Sequence, residues 1–215
     1  GKIDVFNSDD TTINEIGLAN TIIRYFINNG SEAKYISPFN IVYIQNVLYV
    51  LYAYKNSSGD FNPIKVGGFI DIHDKYGNFV KSFIDNTNTY LKSPWGFVKA
   101  PKSFGCGRDT FLIGNFSDGF IYVVDINGQK LGQLKKGPQC NTNIRLINSN
   151  NPDDNNGGLW GLFNDCDQIY FTSALLTNLS NNETLSGLVG YLKKDSCNSG
   201  CGCRSSCKSS CRSSY

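Results

Sequence analysis

The chain has 215 residues, 40% of them hydrophobic and 18% charged, with 20 basic side chains against 18 acidic ones. That is enough apolar material for a buried core, so the composition is not that of a disordered chain. A net charge of +2 gives too weak a field to make nucleic acid or an anionic membrane the main partner. The longest apolar run, Val47 to Tyr54, falls far short of the roughly 20 residues a helix needs to span a bilayer, so no membrane span is expected.

In chain order, Gly1 to Phe6 alternates polar and apolar residues, and Ile22 to Phe26 follows a polar stretch as a second short strand. Ile41 to Ile44, a turn at Gln45-Asn46, Val47 to Tyr54, Gly68 to His73, a turn at Lys75 to Asn78 and Phe79 to Ile84 read as a four-stranded antiparallel meander. The pattern returns in Phe97 to Ala100, Thr110 to Asn115, Gly119 to Asp125, a hairpin turn at Asn127-Gly128 and Lys130 to Leu134. Leu162-Phe163, Gln168 to Thr172 and Gly187 to Leu192 give a third, three-stranded piece. After Lys194 the composition changes to Cys, Ser and basic residues, a low-complexity tail without core-building side chains.

Each meander is introduced by the same kind of tetrapeptide: Ser37-Pro38-Phe39-Asn40, Ser93-Pro94-Trp95-Gly96 and Gly158-Leu159-Trp160-Gly161. Recurrence at roughly the 40–50-residue scale, here lengthened by loops, is the signature of propeller blades. The expected fold is therefore all-β, a β-propeller segment of four-stranded antiparallel blades over residues 1–194, with a Cys/Ser-rich basic tail over 195–215. The count amounts to half a blade, two blades and a partial one, whereas a ring needs at least four. A protein partner or second copy is expected to supply the missing blades, making the protein an oligomer.

Ser93 to Phe97, Leu112 to Gly119, Leu131 to Leu134 and Gly158 to Leu162 together resemble an uncharacterised family of propeller proteins known from bacteria, some carrying the PEP-CTERM surface-sorting signal. Gly1 to Phe6 and Ala33 to Asn46 resemble its middle region, so the likeness covers residues 1–194. The resemblance implies a six-bladed propeller of the broad NHL-like type, with further blades on the amino-terminal side and no established activity. The cysteine-rich tail is a departure from that family.

Five of the eight cysteines, Cys197, Cys201, Cys203, Cys207 and Cys211, lie in the tail, while Cys106, Cys140 and Cys166 lie in loops. All eight are disulfide candidates. Metal binding is the rival reading, but the paired Cys-x-x-Cys spacing of zinc sites is absent. Arg204, Lys208 and Arg212 add only a weak, salt-sensitive attraction for polyanions. Phe39, Trp95 and Trp160 recur in every unit and are read as blade-packing residues rather than a ring that stacks a ligand. Asn115 to Gly119 and Asn164-Asp165 fall near strand ends, where lactonase-type propellers hold calcium; tight turns call for the same residues. His73, the only histidine, sits beside Asp74 and has no nucleophile partner in view, so it is read as a surface or turn-stabilising residue. Asn29, Asn56, Asn115, Asn178 and Asn182 match the N-glycosylation pattern.

The expected function is a non-enzymatic structural or interaction protein, a module of a surface or particle assembly crosslinked through its tail. The expected location is extracellular or on a particle: secreted, cell-surface or virion. The alternatives are a metal-dependent, lactonase-like hydrolase and a carbohydrate- or peptide-binding module. No cofactor is expected, structural calcium being the one candidate weighed.

Overall fold

The computed structural model describes residues 2–6, 12–17, 36–54, 67–102, 104, 109–136, 142–146, 158–165, 167–174, 187–193 and 210–212. Among them every regular element is a strand and every ladder is antiparallel. No helix among them is long and apolar enough to cross a membrane. The chain divides into two units, Gly1–Ser93 and Pro94–Tyr215.

In the first unit, β1 (Lys2–Phe6) pairs with β2 (Thr12–Gly17). The second strand thus lies in a stretch read above as polar, where Thr12, Ile13 and Ile16 supply β-branched residues; Ile22 to Phe26 falls outside the described residues. A four-stranded meander follows, in the order β3 (Ile36–Ile44), β4 (Val47–Tyr54), β5 (Phe69–His73) and β6 (Phe79–Ile84). Gln45 and Asn46 both have positive φ, 52° and 64°, so β3 and β4 join through a two-residue turn of the primed kind that matches strand twist. Val50, Tyr52, Tyr54 and Phe69 form the buried cluster of this sheet, with Ile36 packed against it and Tyr52 stacked on Phe69 at 4.4 Å.

The second unit holds two such sheets. One runs β7 (Pro94–Lys99), β8 (Thr110–Asn115), β9 (Ile121–Asp125) and β10 (Lys130–Gln133). The short pair β11 (Lys135–Lys136) and β12 (Thr142–Asn143) comes next. The other sheet runs β13 (Leu159–Asp165), β14 (Gln168–Ala174), β15 (Gly187–Lys193) and β16 (Ser210–Arg212). The third meander is therefore four-stranded. Its outer strand comes from the tail, with Tyr191 opposite Arg212 and Lys193 opposite Ser210. An edge strand adds by main-chain hydrogen bonds, which any residue but proline supplies, so a tail poor in apolar side chains still pairs.

One apolar core joins these two sheets, combining Val98, Leu112, Ile121 and Val123 with Leu159, Leu162, Ile169, Phe171 and Leu192. Glycines let the layers approach. A Cβ on Gly96 would stand 2.6 Å from Leu162 Cγ, and one on Gly114 2.8 Å from Leu159 Cδ2. Every residue of β8 is buried, as expected for a strand covered on both faces.

Candidate functional site

The recurring tetrapeptides open the first strand of each four-stranded sheet, and each carries a register break at its aromatic residue. In β3 the pairing passes from Pro38–Tyr52 to Asn40–Leu51, skipping Phe39. In β7 it passes from Pro94–Asn115 to Gly96–Gly114, skipping Trp95, and in β13 from Leu159–Ser173 to Leu162–Phe171, skipping Trp160 and Gly161. These are β-bulges, which bend the strand and re-aim a side chain. Phe39 is buried, and Trp95 and Trp160 are half-buried. The two indoles meet edge to face at 4.9 Å between the sheets of the second unit, with Phe116 4.7 Å from Trp160.

Beside them lies the turn Asn115 to Gly119, the densest group of buried polar side chains among the described residues of the second unit. Asn115 and Ser117 are fully buried and Asp118 is 3% exposed. The turn closes through Gly119 N–H to Asn115 O and Asn115 N–H to Phe120 O, both 3.0 Å. Asp118 Oδ1 accepts from Phe120 N–H at 3.1 Å. The segment after β12 covers the turn: Arg145 Nε donates to Asp118 O at 3.0 Å, Leu146 N–H donates to Gly119 O at 2.8 Å, and the Arg145 guanidinium lies 5.7 Å from the Phe120 ring centre. Gly158 N–H donates to Phe116 O at 2.9 Å. Ser173 Oγ donates to Leu146 O at 3.1 Å from below. Ser117 Oγ has no partner. The turn's backbone and its one carboxylate are thus engaged in holding the chain together.

Asn164 and Asp165 are exposed at the far end of β13, five and six residues beyond Leu159. The two groups do not converge. Among the described residues, no three His, Cys, Asp or Glu side chains come together in a metal-holding group. Burial of Asn115 leaves no room for a glycan on its side chain in the folded chain; Asn29, Asn56, Asn178 and Asn182 lie outside the described residues.

His73 is 2% exposed, so it is not a surface residue. Its Nδ1 bonds to Gly77 O at 2.9 Å, which makes Nδ1 the donor, and its ring meets Phe79 edge-on at 5.9 Å. Nε2 is buried without a partner. Hydrophobic density at Gly68 to His73 puts the histidine on an inner strand, and the turn geometry then places the Gly77 carbonyl within its reach.

Of the cysteines, Cys106, Cys140, Cys166, Cys197, Cys201, Cys203 and Cys207 lie outside the described residues, while Cys211 occupies the centre of β16 opposite Leu192. Sequence reasoning passed over one group. Phe163, Tyr170 and Tyr191 form a row across β13, β14 and β15, with ring centres 5.1 Å and 6.1 Å apart. Alternation was the available signal, since Ile169, Phe171 and Ser173 are buried while Tyr170 and Thr172 are not.

No family model matches the chain. It is 32% identical over 182 residues to an uncharacterized protein of Acanthamoeba polyphaga mimivirus, an alignment covering 82% of this chain and 44% of the relative. A second uncharacterized protein of that virus is 31% identical over 160 residues, 74% of this chain and 36% of the relative. A third is 33% identical over 107 residues, 48% of this chain and 20% of the relative. The chain thus spans less than half the length of the curated relatives it matches, all three of them proteins of a giant virus without a described activity.

Proposed function

We propose that this chain is a non-enzymatic structural or interaction module, its four-stranded sheets serving as blades of a β-propeller of the NHL-like type within a surface or particle assembly. The observation that carries the reading is the seating of one repeat on the next in the second unit, where repeated sheets share a core and pack bulged indoles against each other. Face-to-face stacking of four-stranded meanders is how blades build a propeller. The Asp118 carboxylate binds backbone, and the Asn115 turn and Asn164-Asp165 do not converge, which suits a scaffold better than a reaction centre. Similarity to longer proteins of a giant virus favours a particle, and leaves further chain or a second copy to complete the ring. In this reading the tail cysteines crosslink neighbouring chains through disulfides in an oxidising environment.

Intact mass and solution size, measured without and with reductant, test the proposal. A disulfide-linked assembly that falls to free chains on reduction is expected. Free thiols throughout, or one bound metal per chain held by them, would overturn the crosslinked-scaffold reading.

A further inference from the structure

The register of the three sheets allows position-by-position comparison. Two residues after each bulged aromatic stand Ile41, Phe97 and Leu162, and next to them Val42, Val98 and Phe163. Following the ladders across the sheet, the second set continues as Val42–Tyr49–Ile72, Val98–Leu112–Val123 and Phe163–Tyr170–Tyr191. These rows define one face of each sheet; the Ile41, Phe97 and Leu162 positions lie on the other.

In the second unit, the interface between sheets joins unlike faces. The Val98–Leu112–Val123 row of β7–β10 packs against Leu162, Ile169, Phe171 and Leu192 from the opposite face of β13–β15. Leu162 enters the gap left by Gly96, and Leu159 the one left by Gly114. Such an interface is heterologous, so the same contact can repeat.

The face of β13–β15 that this contact leaves over is the equivalent of the packed Val98 row, yet it is open. Val98, Leu112 and Val123 are at most 7% exposed, whereas Phe163 is 49% and Val189, beside Tyr191 on the same face, 63% exposed. Its gap is present too, at Gly161, whose N–H bonds to Thr172 Oγ1 at 2.9 Å. The matching knob is equally open: Ile41, the counterpart of Leu162, is 42% exposed, and Tyr43 on the same face is 55% exposed. Apolar side chains so exposed on adjoining positions mark a contact surface.

We propose that the outer face of β13–β15 is a docking surface for a second copy of this chain, with Ile41 of the incoming copy seated over Gly161 and Thr172, and Tyr43 against the Phe163–Tyr170 pair. The proposal rests on the repeat reading above and deepens it, naming the partner and the faces it uses.

The test uses the full chain in reductant, so that association reports these faces and the tail disulfides are silent. Sedimentation velocity should show wild-type chains self-associating. Ile41→Asp and Phe163→Asp should each weaken this at least roughly tenfold, as loss of a central apolar anchor does. Each variant lacks a different half of a heterologous contact, so mixing them should restore a species of two chains. Tyr43→Glu with Val189→Glu, at still more exposed positions, repeats the test should the first pair misfold. A wild-type chain that remains single in reductant, or variants that fail to rescue each other in both pairs, would overturn the docking surface. Neither result touches the tail, whose disulfides are read separately from the mass without reductant.

Discussion

At Asp74 and Asp125 one carboxylate oxygen organises a whole hairpin end. Asp74 Oδ1 accepts from Tyr76 and Asn78 N–H at 2.8 and 2.9 Å; Asp125 Oδ1 accepts from Asn127 and Gln129 N–H, both at 2.8 Å. Gly77 and Gly128, at φ 88° and 85°, then take the left-handed position the loop requires. Both turns share the spacing Asp-x-x-Gly, which the sequence shows; that the side chain caps the loop's N–H groups depends on how the loop folds back, which it does not show. Replacing Asp125 by Ala should cost about 1 kcal/mol in urea unfolding, the worth of its hydrogen bonds. The Asn78 side-chain amide, then its backbone N–H, hold the Asp74 carboxyl below its ordinary 3.8. A lowered folded value means the contribution is complete above 3.8 and is lost as pH falls through the lower folded value. Acid unfolding curves of wild type and Asp74→Asn should therefore differ in slope below about pH 4 and run parallel above it.

Tyr122 shows the opposite sign. Burial, with the Asp118 carboxylate nearby, pushes its phenol up to about 12, against a partial offset from a hydrogen bond with Gln133. The unfolded phenol ionises near 10 while the folded one stays neutral, so stability is full below pH 10 and falls as pH rises toward 12. Tyr122→Phe should flatten that alkaline decline. An unchanged alkaline limb in thermal melts would mean that this side chain is not the group responsible.

Among elements, β4, β6 and β8 coincide with the strands expected from their runs of apolar, β-branched and aromatic residues. The bulges at Phe39, Trp95 and Trp160 were half legible. Recurrence of the aromatic pointed to a common position, but an extra residue in a strand changes no composition and appears only in the pairing register. The first turn offers a direct check. Gln45-Asn46 replaced by Asn-Gly, which favours positive φ at both positions, should raise stability by roughly 0.5–1 kcal/mol. Packing gives the converse. Gly96→Ala sets a Cβ 2.6 Å from Leu162 Cγ, and the resulting overpacking should cost about 1–3 kcal/mol, measured by chemical denaturation. Leu162→Ala made together with it should recover part of that loss, because the two positions share one gap.

Across the chain, the tail changes meaning once pairing is known. Ser210–Arg212 closes the third sheet, although nothing in a run of Ser, Cys and basic residues marks a strand. Deleting residues 195–215 should leave β15 as an edge strand. Amide exchange in Gly187–Lys193 should then accelerate while β8 keeps its protection. Unaltered exchange in β15 would show that β16 is not paired there in solution.

The sequence by itself determined the all-β class, the antiparallel meanders and the positions of most turns. Alternation, β-branched and aromatic content, and Gly or Asn at tight loops act over a few neighbouring residues. Tertiary structure alone decided which faces the sheets bury, which residue is bulged, that Asn115 and His73 are interior, and that Phe163, Tyr170 and Tyr191 line an open face. Those outcomes depend on pairings between residues far apart in the chain. Local propensity is blind to them, because the same apolar residue is core where another sheet covers it and a docking surface where none does.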